Sequence, residues 1–229
     1  MADESPTDTS TWREMAVARS LDPARVRAEQ RVQRFLDAAM ELMAASPDRE
    51  FTVQEVVERS GQSLRSFYQY FAGKHELLLA VFEETVRSSA EQVLGAIDDL
   101  EDPLERLHVF TSEYYRICRP TRAGDGSGAN AASVMADFAQ QLLTRHPAEA
   151  ARSFSPLVSI YEGLLDDAAR AGAVRDDLDH RRITGVVLQA VMFNTFADTI
   201  SASSLRDAEP AAAGLWELLL DGLGVGPRG

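Results

Sequence analysis

The chain has 229 residues, 45% hydrophobic and 26% charged, which excludes wholesale disorder and suits one large domain or a small one joined to a larger. Its net charge of −13 speaks against coating nucleic acid with the whole surface. No run reaches the roughly 18 apolar residues of a membrane span, and the acidic start MADESPTDTS lacks the basic-then-apolar order of a secretory signal.

Residues 1–22 read as a polar, mobile extension. From Pro23 the period turns helical: Val32, Phe35, Leu36, Ala39, Met40, Leu42 and Met43 form one apolar stripe that ends at Ser46-Pro47-Asp48. Thr52 with Glu55 three residues on spells a capping box that opens a short second helix, and Ser60-Gly61 stops it. Ser63 caps a third helix, from Leu64 to about Phe71, and Gly73-Lys74 breaks the chain again. Beyond lie an amphipathic helix from His75 to about Leu100 and one from Pro103 to about Ile117. A Gly- and Ser-rich loop follows at 119–130, then helices at about 131–145, 148–171, 179–201 and 210–223. Strand alternation is missing throughout, so the fold class is all-α. A single cysteine, Cys118, forbids an internal disulfide and fits a cytoplasmic protein.

Charge is distributed unevenly. Residues 19–36 carry Arg19, Arg25, Arg27, Arg31 and Arg34 against Asp22 and Glu29, and residues 59–74 carry Arg59, Arg65 and Lys74 with no acid. Residues 75–229 hold 13 basic and 24 acidic side chains, so −11 of the total lies there. Screening over about 8–10 Å lets the nearby basic stretches dominate a local DNA contact. The stretch Phe51 to Lys74 has the layout of a helix-turn-helix, with Gly61 free to take the left-handed turn conformation. Val53, Val56, Val57, Phe67 and Phe71 face inward. Ser63, Arg65, Ser66, Tyr68 and Gln69 point away, and these are groups that read base edges and grip phosphates.

Residues 32–82 resemble the DNA-binding domain of the TetR family of bacterial transcriptional regulators. The residues that carry the resemblance are Phe51-Thr52-Val53, Val56-Val57, Ser60-Gly61-Gln62-Ser63 and the run from Phe67-Tyr68-Gln69-Tyr70-Phe71 through Lys74 to Leu77-Leu78. The resemblance implies phosphate contacts from Thr52, Ser63, Tyr68 and Lys74. Leu64 and Arg65 stand where the family commonly has Lys-Gly; Arg65 suits guanine O6 and N7, and Leu64 a thymine methyl. The arginines at 19–34 are similar to basic N-terminal arms, with a solvated helix face as the alternative.

The resemblance also divides the chain into a mobile extension (1–22), a reading head (23–74) and a helical ligand-binding and dimerisation domain (75–229). Two-fold pairing doubles the base contacts of one short reading helix on a palindromic operator. The expected interface comprises Val187, Val191 and Thr195 on one helix and Leu215, Leu218 and Leu219 on the last. Pocket candidates are Phe110, Tyr114, Met135, Phe138, Phe154, Tyr161, Met192, Phe193 and Phe196, with His108, Gln141 and Gln189 to orient a ligand; core packing is the alternative for each. This lining favours a small apolar or aromatic effector. Four scattered histidines show no metal-ligand spacing, and neither a phosphate loop nor a nucleophile elbow is present, so no enzyme, metal or cofactor is expected. The reading is a dimeric, ligand-responsive repressor of operator DNA, without membrane contact. Its rival is a helical ligand-binding or protein-interaction module without specific DNA binding.

Overall fold

Side-chain caps start most of the helices that matter here, and two glycines stop them. Thr52 Oγ1 accepts from the Glu55 N–H at 3.3 Å while the Glu55 carboxylate accepts from the Thr52 N–H at 2.8 Å. That backbone bond is the main reason the Glu55 carboxyl sits below its ordinary range. Ser63 Oγ accepts from Ser66 N–H at 3.1 Å, Asp102 from Leu104 N–H at 3.1 Å and Asp179 from Arg182 N–H at 3.0 Å. Gly61 (φ 65°) and Gly172 (φ 75°) occupy the left-handed region that closes a helix and lets the chain turn.

The structure, a computed structural model, describes residues 11–46, 49–119, 135–193 and 208–224. Among these run the helices α1 (Thr11–Ala45), α2 (Val53–Ser60), α3 (Leu64–Tyr70), α4 (Lys74–Ile97) and α5 (Pro103–Cys118). They continue as α6 (Ala136–Arg145), α7 (Pro147–Arg170), α8 (His180–Met192) and α9 (Ala208–Leu223). The only extended pairing among the described residues is an isolated bridge between Val174 and Gly224, so the fold is all-α. No helix among them is long and apolar enough to cross a membrane. The expected loop at 119–130 lies outside the described residues from 120 onward.

One boundary differs from the sequence reading. α1 begins at Thr11, where a mobile extension to residue 22 was expected, and Pro23 lies inside it. Residues 11–22 contain no glycine and several good helix formers (Arg13, Glu14, Met15, Ala16, Ala18), so backbone preference carries a helix without an apolar stripe to announce it.

α1, α2 and α3 pack around an aromatic cluster. Phe67 meets Phe35 edge-to-face at 5.5 Å, Phe71 meets Phe35 at 6.1 Å, and Phe67 and Phe71 lie 5.4 Å apart. Val56, Val57, Leu36 and Ala39 close the cluster. α4 belongs to both halves: it packs on α1 and also on α5, α6 and α7. α5 is central to the rest, touching α4, α7, α8 and α9. Its buried Leu107 and Phe110 meet Tyr161, Leu164 and Leu165 of α7 and Val187, Leu188 and Val191 of α8 in one core. Arg175 N–H donates to Leu223 O at 2.9 Å, tying the end of α9 to the turn after Gly172.

His180 joins α8 to α7. Its Nδ1 lies 2.6 Å from the Asp166 carboxylate and its Nε2 3.0 Å from the Arg175 carbonyl. Both partners are acceptors, so the protonated ring satisfies both contacts at once. The Asp166 bond, first among the causes, raises its pKa above the ordinary 6.5. A raised folded-state pKa gives stability that is fully present below about 6.5 and is lost as pH rises through the raised value. An NMR titration should find His180 above 6.5 in the wild type and moved back toward 6.5 in Asp166→Asn. Phe67→Ala should lower stability by about 3–5 kcal/mol in urea denaturation, because Phe67 is fully enclosed.

Candidate nucleic-acid interface and buried cavity

α3 has seven residues, and its sequence splits them cleanly. Phe67 points into the aromatic cluster, whereas Leu64 (44% exposed), Arg65, Tyr68 (57% exposed) and Gln69 stand in solvent. The Tyr68 ring packs edge-on against Phe67 at 5.3 Å, which orients its hydroxyl outward. Ser63, the exposed N-cap, accepts one backbone hydrogen bond and keeps its own hydrogen to donate. Thr52 differs, because its hydroxyl also donates to Glu55 at 2.9 Å. Ser66, expected on the outward face, has its Oγ enclosed and unpartnered.

Ion pairs sort the basic residues around this face. Arg49 pairs with Glu55, and Arg59 with Glu41 at 3.2 Å. Lys74 lies 3.1 Å from Glu50 and 4.7 Å above the Phe51 ring, which holds its ammonium at the start of α4. Arg65 is exposed and has no carboxylate partner among the described residues. On α1, Arg25 pairs with Glu29 at 2.8 Å, while Arg27, Arg31 and Arg34 are exposed at spacings of four and three residues, on one face. The exposed set of Leu64, Arg65, Tyr68 and Gln69 thus offers a guanidinium, a phenol, an amide and an apolar contact on one rigid helix.

The second half encloses a cavity of about 20 Å³ lined by α4 (Phe82, Thr85, Val86, Ser89), α5 (Tyr114, Cys118), α6 (Ala139), α7 (Phe154, Leu157) and α8 (Met192). That is room for one water molecule. Its few polar groups are neutral and mostly engaged. Thr85 and Ser89 donate to backbone carbonyls at 2.8 Å each. Burial pushes the Cys118 thiol up to about 12 and the Tyr114 phenol well above its ordinary value. Of the sequence candidates, Tyr114, Phe154 and Met192 line this cavity, and Phe138 lies just behind it, 6.0 Å from Phe82.

The remaining candidates are elsewhere. Phe110 and Tyr161 stack at 5.0 Å in the core, with the Tyr161 hydroxyl 3.3 Å from Thr111; burial raises that phenol to about 12. Met135 is buried at the start of α6, and Phe193 is half-buried at the end of α8. His108 is exposed, and its ring lies 4.8 Å from that of Trp216, linking α9 to α5. Gln141 and Gln189 face solvent. Val187 and Val191 are buried in the protomer's own core, whereas Leu215 and Leu219 are half-buried and Leu218 is 70% exposed. Phe196 and Thr195 lie outside the described residues.

Sequence reasoning missed the α4 wall of the cavity (Phe82, Thr85, Val86, Ser89). The apolar spacing of α4 was plain, but nothing in it tells core from cavity lining. It also missed a cluster at the junction of the two halves. His75, the second residue of α4, reaches Glu149 of α7 at 2.9 Å, and its ring lies 4.6 Å from that of His146. The His75 hydrogen bond is the main reason that Glu149 titrates below its ordinary range. Phe138, 5.9 Å from His75, connects this cluster to Phe82 and so to the cavity wall.

Residues 35–81 match the profile of bacterial regulatory proteins of the tetR family. Over 193 residues, 82% of this chain and 93% of the relative, the sequence is 21% identical to a fatty acid metabolism regulator protein of Bacillus subtilis (strain 168). The crystal structure of the transcriptional regulator FadR from Bacillus subtilis in complex with stearoyl-CoA superimposes with a TM-score of 0.64, at 19% identity over 83% of this chain and 98% of that one. A gamma-butyrolactone receptor (ArpA-like protein) superimposes with a TM-score of 0.54, at 22% identity over 89% and 92% of the two chains.

Proposed function

We propose that the chain is a homodimeric TetR-type repressor of palindromic operator DNA, released by an apolar effector, a reading that starts from the match of residues 35–81 to bacterial regulatory proteins of the tetR family. The observation that carries the DNA-binding part is the exposed face of α3, where Arg65 and Tyr68 stand in solvent, Arg65 without a carboxylate partner among the described residues, on a helix held from behind by Phe67. In this reading Arg65 reads a guanine edge, Leu64 meets a thymine methyl, Gln69 lies against a neighbouring base, and Ser63 and Tyr68 grip phosphate. Lys74 adds charge from a position fixed by Glu50 and Phe51, and Thr52 chiefly caps α2.

Two reading heads need a two-fold partner. Val187 and Val191 are occupied within the protomer, so the pairing surface is built from what α8 and α9 leave exposed, chiefly Val186 (57%) and Leu218 (70%), with Leu215 and Leu219 behind. A charge placed in such a surface is desolvated on pairing and weakens it strongly. Leu218→Glu should therefore shift the protein to monomers in sedimentation experiments and abolish operator binding.

The effector is taken to be a long-chain acyl thioester or a molecule of similar apolar length. Supporting this are the aromatic and aliphatic lining of the cavity and the stearoyl-CoA held by the Bacillus subtilis regulator of the same fold. At about 20 Å³ the cavity is closed to such a chain, so binding has to part α4 from α6 and α7 at Phe82 and Phe154. Only three residues separate the end of α3 from the start of α4, so this displacement tilts the reading head. The effector thus favours the arrangement that no longer fits two major grooves.

Fluorescence anisotropy on duplexes from the DNA upstream of its own gene tests the reading. Saturable binding at two protomers per site should weaken steeply with salt. Arg65→Ala should cost about 1–3 kcal/mol and relax specificity at one base pair, whereas Tyr68→Phe should weaken all sequences alike. Long-chain acyl-CoA should release the DNA, and CoA alone should not. Absence of specific binding here and in a genome-wide DNA selection would favour the rival interaction module.

A further inference from the structure

We propose that His75, His146 and Glu149 form a binding site for one divalent transition-metal ion of the zinc class, placed where the reading head joins the bundle. The three residues come from two segments far apart in sequence. His75 is in the first turn of α4. His146 is the junction residue between α6 and α7, and Glu149 follows in the first turn of α7. The spacing of three puts His146 and Glu149 on one side of that turn. The His146 Nδ1 lies 3.9 Å from the same Glu149 oxygen that His75 Nε2 approaches to 2.9 Å. One ligand atom from each residue falls within a sphere of mutual distances no greater than 4.8 Å.

Two imidazoles and a carboxylate are a donor set that zinc accepts, with bonds of about 2.0–2.2 Å. Tetrahedral bonds of that length place donor atoms about 3.4 Å apart. The present separations of 2.9 and 3.9 Å lie on either side of that spacing, and all three ligand atoms are within 4.8 Å of one another. The side chains have room to adjust, since His75 and His146 are 47% and 45% exposed and Glu149 is 29% exposed. The Glu149 carboxylate supplies negative charge, and three protein ligands leave the fourth position to water. The ring of His75 is steadied from behind by Phe138, so part of the site is already oriented. At present a ring hydrogen of His75 points at Glu149; coordination puts the Nε2 lone pair on the metal, and that proton moves to Nδ1 or leaves to solvent.

The position gives the ion a consequence, which rests on the proposed function. A metal bound here bridges the start of α4 to the α6–α7 junction and fixes the head relative to the cavity wall. It therefore changes the free-energy difference between the two arrangements of the head.

The test uses the untagged full-length protein and zinc chloride in isothermal titration calorimetry. The expected result is saturable uptake of one zinc per protomer, weakened at least tenfold in both His146→Ala and Glu149→Gln. Each changes an exposed or part-exposed side chain, and circular dichroism checks that the variants remain folded. Absence of saturable uptake by the wild type, or wild-type affinity in the two folded variants, overturns the site. Anisotropy on the selected duplex then tests the consequence. Zinc should change the operator Kd about fivefold or more in the wild type and leave both variants unchanged. Stoichiometric zinc uptake with an unaltered operator Kd overturns the bridging role. Failure to find any specific duplex would be a failure of the regulator reading, and zinc uptake is judged independently of it.

Discussion

A helix of seven residues does not hold together in water, so the reading face depends on Phe67. This one side chain inserts between Phe35 and Phe71, anchors α3 to the long first helix and turns Arg65, Tyr68 and Gln69 outward in a fixed order. Phe71 then serves twice: it completes the cluster and, in extended backbone conformation, ends α3. Only Ala72 and Gly73 separate it from α4. The reading face therefore leads into α4 through a short connection that starts from the aromatic cluster itself.

The electrostatics follow the same division. The acidic bundle repels a phosphate backbone, while α1 and α3 present exposed arginines at the opposite half of the chain. The head pairs several of its own cations, Arg49, Arg59 and Lys74, with nearby carboxylates. Exposed pairs of this kind contribute little stability; their effect is to limit which guanidiniums remain available to DNA.

Much of the fold was legible because helix ends are local events. The Thr52–Glu55 box, Ser63, Pro103 and Gly61 each act on backbone groups within a few residues, and each stands where the sequence placed it. The exposed face of α3 was legible for the same reason: two phenylalanines four residues apart define an inside. What was not legible depended on neighbours distant in sequence. The contact of His108 with Trp216 joins residues more than a hundred positions apart and leaves no local signal. Val187 and Val191 share a helix face with either a core or an interface, and only the packing of α5 on α8 decides for the core. The start of α1 at Thr11 was hidden because periodicity reports burial, not helicity.

The buried thiol beside Tyr114 has a consequence for the kind of signal this protein can receive. Oxidants and electrophiles react with the thiolate, and burial pushes the Cys118 thiol up to about 12, which favours the neutral, weakly reactive form at pH 7. The sulfur lines the cavity as a small apolar surface. A redox poise that would switch an exposed, acidic cysteine meets in Cys118 a buried and neutral thiol.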